Sequence, residues 1–186
     1  MLRVNIGLSI FSLSVGDSYV GKTSLVSNGP FPKNYEMTLG LNISVKTVRI
    51  PDTKYKVDIF VHDCSGKKVY ADLLERMWTD ATLVVVAYDV TSDRSFRASK
   101  DWYTRCIKAI QEHPILGALV ACKTDLADRR TVTPAQGESM ARELGLRYFE
   151  CSTKEGANVD AAFFYLAHEW YKQYIDKVDL FATAHL

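Results

Sequence analysis

Residues 16–23 read GDSYVGKT, directly after an apolar run that ends at Val15. The spacing G-x-x-x-x-G-K-[S/T] restricts the fold more than any other feature of the chain. Two glycines permit backbone turns that aim successive N–H groups at one point. A strand has to deliver such a loop and a helix has to carry the chain away. The resulting nest is a cradle for phosphate. Lys22 adds a point charge for β- and γ-phosphate oxygens, and the Thr23 hydroxyl is placed to ligate Mg²⁺. Ligand contacts are therefore expected along Gly16, Asp17, Ser18, Tyr19, Val20, Gly21, Lys22, Thr23 and Ser24. Only four positions of the motif are constrained, so an ordinary strand–turn–helix join also produces it, and the rest of the chain has to decide.

The remaining apolar runs read as strands separated by helical patterns. Ile10–Val15 leads into the loop, and Leu41–Ile50 and Lys54–Cys64 flank the turn-like PDTK as a hairpin. In the second of these, Tyr55, Val57, Ile59 and Val61 alternate with more polar neighbours. Residues 81–89 and 117–123 are continuous apolar runs, as strands buried on both faces should be, and 146–151 is a shorter one. Between them, Ser95–Gln111 repeats Trp102, Cys106 and Ile110 at a spacing of four. Thr133 is a cap residue, Pro134 opens a helix to Leu144, and Gly145 stands just past its end. Val159–Val178 reads as a long helix. On it, Phe163, Leu166, Trp170 and Tyr174 form the face expected to pack on the sheet, while Phe164, Tyr165, Tyr171 and Ile175 are surplus. The surplus either covers the sheet edge or forms an exposed patch for a protein partner. Strand–helix alternation predicts an α/β fold with a mostly parallel sheet, helices on both faces, and ligands at the carboxyl ends of the strands.

Three further motifs fall at those strand ends. DCSG, Asp63–Gly66, supplies a carboxylate to hold Mg²⁺ through water and a Gly66 N–H for a γ-phosphate. CKTD, Cys122–Asp125, follows a buried run. The Asp125 carboxylate can accept two hydrogen bonds from guanine N1–H and its exocyclic amine, a pair that adenine lacks, and the stem of Lys123 can cover one ring face. CSTK, Cys151–Lys154, brings the backbone of Ser152 and Thr153 towards guanine O6 and Lys154 to the other side of the ring. Each alone is also a plausible solvated turn; their order along the chain points to GTP and GDP as ligands.

A formal net charge of +1 gives no reason to expect nucleic acid as a partner. The four cysteines, Cys64, Cys106, Cys122 and Cys151, lack any C-x-x-C pairing and read as free thiols of a reducing compartment. Polar residues interrupt the apolar N-terminus, residue 2 is Leu, and no cysteine follows Cys151. No signal peptide, membrane span or direct lipid anchor is expected from these features.

Taken together, VGDSYVGKTSLV, YDVTSDRSF, Trp102 and KTD resemble the Ras-like small GTPases, the Rab branch in particular. The resemblance covers about residues 10–175 of a single domain spanning 1–186, with 176–186 as a C-terminal extension. It implies the three-layer P-loop NTPase fold, with a six-stranded sheet containing one antiparallel strand and five helices, and a GTP/GDP switch. It also implies that Thr38 closes on Mg²⁺ and γ-phosphate, with Thr23 and Asp63 on the metal side. The hairpin turn IPDT, the ending YIDKVDLFATA and the missing prenylation cysteine resemble the Rab-like subunits of the intraflagellar transport complex. That resemblance implies cytoplasmic and ciliary localisation, with transport-complex subunits, including a small β-sandwich protein, as partners. Alternatives are a conventional vesicle-trafficking Rab and a scaffold that no longer uses nucleotide.

The chain departs from the family at four places. Lys67 stands where a glutamine orients the attacking water, and an ammonium has three donors and no acceptor. No catalytic residue is assigned, and hydrolysis is expected to be slow; Lys67 is otherwise a solvated surface lysine. Cys122 replaces the usual Asn of the guanine motif, so a small apolar filler takes the place of an amide and affinity should fall. The segment between Thr23 and Thr38 is a few residues short, which leaves the reach of Thr38 to the tertiary structure. Ser12 and Ser14 interrupt the first strand without a sequence-level reason.

Overall fold

A computed structural model describes residues 6–27, 37–110 and 114–183. Six strands form one sheet: β1 (Ile6–Val15), β2 (Leu41–Arg49), β3 (Tyr55–Cys64), β4 (Leu83–Asp89), β5 (Leu116–Cys122) and β6 (Arg147–Cys151). Their order is β2-β3-β1-β4-β5-β6. Only β2 runs antiparallel, to β3, and the other pairs are parallel. The described residues include five α-helices: α1 (Lys22–Val26), α2 (Lys68–Leu74), α3 (Asp93–Ala109), α4 (Pro134–Leu144) and α5 (Ala161–Thr183).

Period-two alternation sorts the strand residues to two cores. On one side Ile10, Val57, Ile59, Val85 and Val120 meet Leu25 and Val26 of α1 and Phe163 and Leu166 of α5. On the other, Leu13, Val15, Val84 and Leu119 meet Phe96, Trp102 and Cys106 of α3 and Ala141 of α4. Every residue of β4 is buried, which explains its uninterrupted apolar run.

Local chemistry sets several boundaries. The PDTK turn closes with Asp52 at φ 57°, and the Thr53 hydroxyl donates to Ile50 O at 2.9 Å. Thr133 and Gln136 form a reciprocal capping box on α4, and Gly145 ends that helix at φ 69°. α3 begins at Asp93 rather than Ser95, because the Ser92 side chain caps it by accepting from Ser95 N at 3.2 Å. It ends at Ala109, and Gln111 lies outside the described residues. β1 begins at Ile6, four residues earlier than its apolar run suggests, because β3 pairs it from Ile6↔Tyr55 onward. α5 starts at Ala161 rather than Val159 and continues past Val178 to Thr183, with no helix breaker in between. Ser12 and Ser14 are fully buried on the side of the sheet that faces α1 and α5. The Ser14 hydroxyl is buried without a hydrogen-bond partner, and nothing in the structure explains its choice over an apolar residue.

The expected apolar face of α5 is corrected in detail. Phe163 and Leu166 are fully buried and Trp170 is partly so, but Tyr174 is exposed and stacks on Trp170 with ring centres 5.4 Å apart. Tyr165 and Tyr171 pack instead, on Phe149 and Tyr55 respectively, each pair at 5.6 Å. A helix turns 100° per residue, so Tyr171 and Tyr174 stand only about 60° apart round the helix, and that difference puts Tyr171 rather than Tyr174 against Tyr55.

Candidate nucleotide site

The motif loops leave the carboxyl ends of β1, β3, β5 and β6, so the sheet gathers them at one edge. The order of strands places the β1 loop between β3 and β4, where successive crossovers diverge and an open α/β sheet forms its crevice. The loop after β1 turns through positive φ at Gly16 (142°), Tyr19 (68°) and Gly21 (110°). At Gly16 a Cβ would meet the Ala87 carbonyl oxygen at 2.2 Å, so only glycine fits. Val20 is buried in the core and presents only its backbone to a ligand. Ser18 and Ser24 are half-buried. The Lys22 ammonium, itself buried, donates to Gly16 O and Asp17 O, both at 2.8 Å. Burial lowers its pKa, and the Asp63 carboxylate works in the other direction.

Three side chains converge beside Lys22. Thr23 Oγ1 donates to Asp63 Oδ2 at 2.7 Å and lies 3.0 Å from Thr38 Oγ1. Thr38 Oγ1 also donates to Asp63 Oδ2, at 3.3 Å. The short connecting segment therefore does not keep Thr38 away. Asp63 is fully buried, and its Oδ1 has no partner. Burial raises its pKa, against the pull of Thr23, Lys22 and Thr38. Two oxygens bound to neighbouring corners of an octahedral Mg²⁺ site, each at about 2.0–2.1 Å, stand about 2.9 Å apart. The Thr23–Thr38 spacing fits that edge, and the orphaned carboxylate oxygen fits a water of the same ion.

Gly66 abuts the phosphate loop: a Cβ there would come within 2.2 Å of Ser18 N and 2.4 Å of Asp17 C. Lys67 is exposed at the rim of a cavity of about 580 Å³ that it shares with Ser18, Tyr19 and Arg94. Its backbone N–H donates to Ser65 Oγ at 3.4 Å.

The base-side residues also come together. Asp125 Oδ1 accepts from Ser152 Oγ at 2.7 Å, and Lys154 Nζ stands 3.9 Å from Asp125 Oδ2. Thr124 N donates to Cys151 O at 3.2 Å, which ties the two loops together, and Thr153 lies half-buried beside Ser152. Lys123, at φ 67°, pairs its ammonium with Asp89 Oδ2 at 2.6 Å. Asp89 also accepts from the Thr91 backbone N–H at 2.8 Å and its hydroxyl at 2.7 Å. Sequence reasoning missed Asp89; its signal was the one acidic residue closing a buried run. Cys122 is buried under the phosphate loop, its Cβ 3.6 Å from where a Gly21 Cβ would stand, with its Sγ 3.8 Å from Cys151 Sγ. Contact with Cys151 and burial hold the Cys122 thiol well above its ordinary pKa, so it packs as a neutral group. All four cysteines are free. Among the described residues no helix is long and apolar enough to cross a membrane.

The sequence model of the Ras family matches residues 12–172. Intraflagellar transport protein 27 homolog of Mus musculus is 40% identical over 173 residues, 90% of this chain and 93% of that protein. Intraflagellar transport protein 27 of Chlamydomonas reinhardtii is 33% identical over 179 residues, 91% and 88% of the two chains. Ras-related protein Rab-8B of Homo sapiens is 31% identical over 163 residues, 84% and 76% of the two. The family match runs from the first strand into the last helix and takes in every strand end at which the loops gather, and by that extent the chain belongs to the Ras family.

Proposed function

We propose that the chain, as a single domain, is a guanine-nucleotide switch that binds GTP and GDP with Mg²⁺, hydrolyses GTP slowly, and acts as a subunit of an intraflagellar transport complex in the cytoplasm and cilium. The convergence of Thr23, Thr38 and Asp63 beside Lys22 carries the reading. Thr23 and Thr38 hydroxyls would hold Mg²⁺ directly, and Asp63 would hold it through water. When bound, the ion neutralises phosphate charge. Lys22 already faces the loop carbonyls and would share its remaining donor capacity with β- and γ-phosphate oxygens. The Gly66 N–H, pressed close to the loop, would meet the γ-phosphate. Asp125, oriented by Ser152, would accept from guanine, while Lys123 and Lys154 flank the ring. Lys67 offers donors only, so nothing at its position accepts a proton from the attacking water. The ciliary role rests on the names of the relatives, and the partner surface is the exposed C-terminal part of α5, where a small β-sandwich protein is the expected occupant.

Titration with labelled GTP and ATP tests the ligand. Micromolar or tighter binding of GTP with no comparable ATP binding is expected, and equal affinities overturn the reading. Single-turnover hydrolysis by the isolated chain should not exceed about 10⁻⁴ s⁻¹, the scale of unassisted turnover in this chemistry. A rate above about 10⁻² s⁻¹ rules out the slow enzyme.

A further inference from the structure

The phosphate loop is tied to α3 by a contact that the nucleotide chemistry does not use. Trp102, almost wholly buried in the middle of α3, donates its Nε1–H to Asp17 Oδ1 at 2.9 Å. Arg94 in the first turn of the same helix brings Nε to 3.9 Å from Asp17 Oδ2, but its side chain is 91% exposed, so its contribution is screened. The backbone of Asp17 is the other half of the arrangement. Its carbonyl accepts from Lys22 Nζ at 2.8 Å, and its carbonyl carbon lies 2.4 Å from where a Gly66 Cβ would stand. Gly16, immediately before it, sits at φ 142° against the Ala87 carbonyl, and its own carbonyl accepts from Lys22 Nζ at 2.8 Å. A carboxylate accepting from a buried indole N–H is a short, directional tie between the loop and α3.

Resting on the guanine-nucleotide reading above, we propose that Trp102 and Asp17 are a positioning pair: the indole, fixed in the core by α3, holds the Asp17 peptide where its carbonyl orients Lys22 and its backbone abuts Gly66. Neither side chain touches phosphate. Their role is to set the loop before nucleotide arrives, and movement of α3 reaches the phosphate cradle through this buried bond.

The test is the release rate of a fluorescent GDP from the full chain, measured by displacement with excess GDP. Wild type, Trp102→Phe, Asp17→Ala, Asp17→Asn and the Trp102→Phe/Asp17→Ala double variant are compared, with a melting temperature for each. Loss of one hydrogen bond to a charged group should speed release by about tenfold in each of Trp102→Phe and Asp17→Ala. The double variant should release no faster than the faster single, since both remove the same bond. Asp17→Asn keeps an acceptor oxygen and should stay within about twofold of wild type, an effect below that of a lost bond. In the wild type, the Trp102 indole N–H resonance should move when GDP is exchanged for a non-hydrolysable GTP analogue. A lower melting temperature with unchanged release, or fully additive effects, overturns the proposal. If Trp102→Phe does not fold, the contrast between Asp17→Ala and Asp17→Asn decides alone, because neither alters the core. A wild type that holds no GDP overturns the guanine reading itself, and that is seen before any variant is compared.

Discussion

Asp125 is already half-engaged: Ser152 occupies one oxygen at 2.7 Å and aims the carboxylate. An amide in its place would present a donor to the donors of guanine. Asp125→Asn should therefore weaken GTP at least tenfold, the scale of one hydrogen bond to a charged group, and should favour xanthine nucleotides, whose carbonyl accepts from the amide. Competition between GTP and XTP for the variant checks this, and undiminished GTP preference sinks the assignment. Lys67 is the second residue on which the proposed chemistry turns. It is exposed, and nothing packs it into a role that glutamine could not take. Lys67→Gln should raise the single-turnover rate without altering GDP affinity. An unchanged rate would place the block elsewhere, with Cys122 or with the segment before Thr38. Cys122 itself fills space beside Cys151 and under Gly21, so it supports the loop by contact where an amide would support it by hydrogen bonds.

At the scale of an element, α5 packs along its first turns and is exposed along its last. Phe163 and Leu166 bury one side in the sheet, and Tyr171 extends that contact to Tyr55 on β3. Phe164, Tyr174, Val178 and Leu180 are exposed. A partner that docks on the exposed end of α5 would meet Tyr174 and Val178, neighbours at i,i+4. Tyr174→Lys with Val178→Lys should leave the melting temperature within a few degrees and GTP binding intact, while abolishing co-purification with transport-complex subunits from ciliated cells. Tyr171→Lys should instead lower stability, because it removes the ring packed on Tyr55 and against the core. If this pair of changes leaves the pull-down unaltered, the exposed end of α5 is not the docking surface.

Across the whole molecule, one polar network binds elements distant in sequence. Arg130, ahead of α4, donates to both oxygens of Glu150 on β6 at 2.8 and 3.1 Å. Tyr148 OH donates to Glu150 Oε1 at 2.6 Å and lies 3.4 Å from Tyr88 OH on β4. Burial pushes the Glu150 pKa up, but the Arg130 and Tyr148 hydrogen bonds outweigh it and hold the carboxyl below its ordinary 4.5. A depressed acid pKa means that this stability is fully present above pH 4.5, the unfolded value, and is lost as pH falls through the lower folded value. Melting temperature measured from neutral pH down to about pH 3, across the range of ordinary carboxylate titration, should fall more steeply for wild type than for Glu150→Gln. Parallel curves would show that the network does not govern acid stability.

The sequence by itself determined the parts whose signals are local. GDSYVGKT carries in its own glycines the tight turns that the loop takes at Gly16 and Gly21, and Thr133, Pro134 and Gly145 set the ends of α4 as found. The run 81–89 announced a strand buried on both faces because burial leaves no polar face to interrupt it. Tertiary structure decided what depends on register and on the meeting of distant segments. The reach of Thr38 depends on β2 pairing antiparallel to β3, which brings its start beside Asp63. The ties Asp17–Trp102 and Lys123–Asp89 join different elements, and no spacing rule within one element predicts them. The choice between Tyr171 and Tyr174 as the packed ring turns on the rotation of α5 about its axis. Helical periodicity narrows that rotation to a broad stripe, and only contact with Tyr55 settles it.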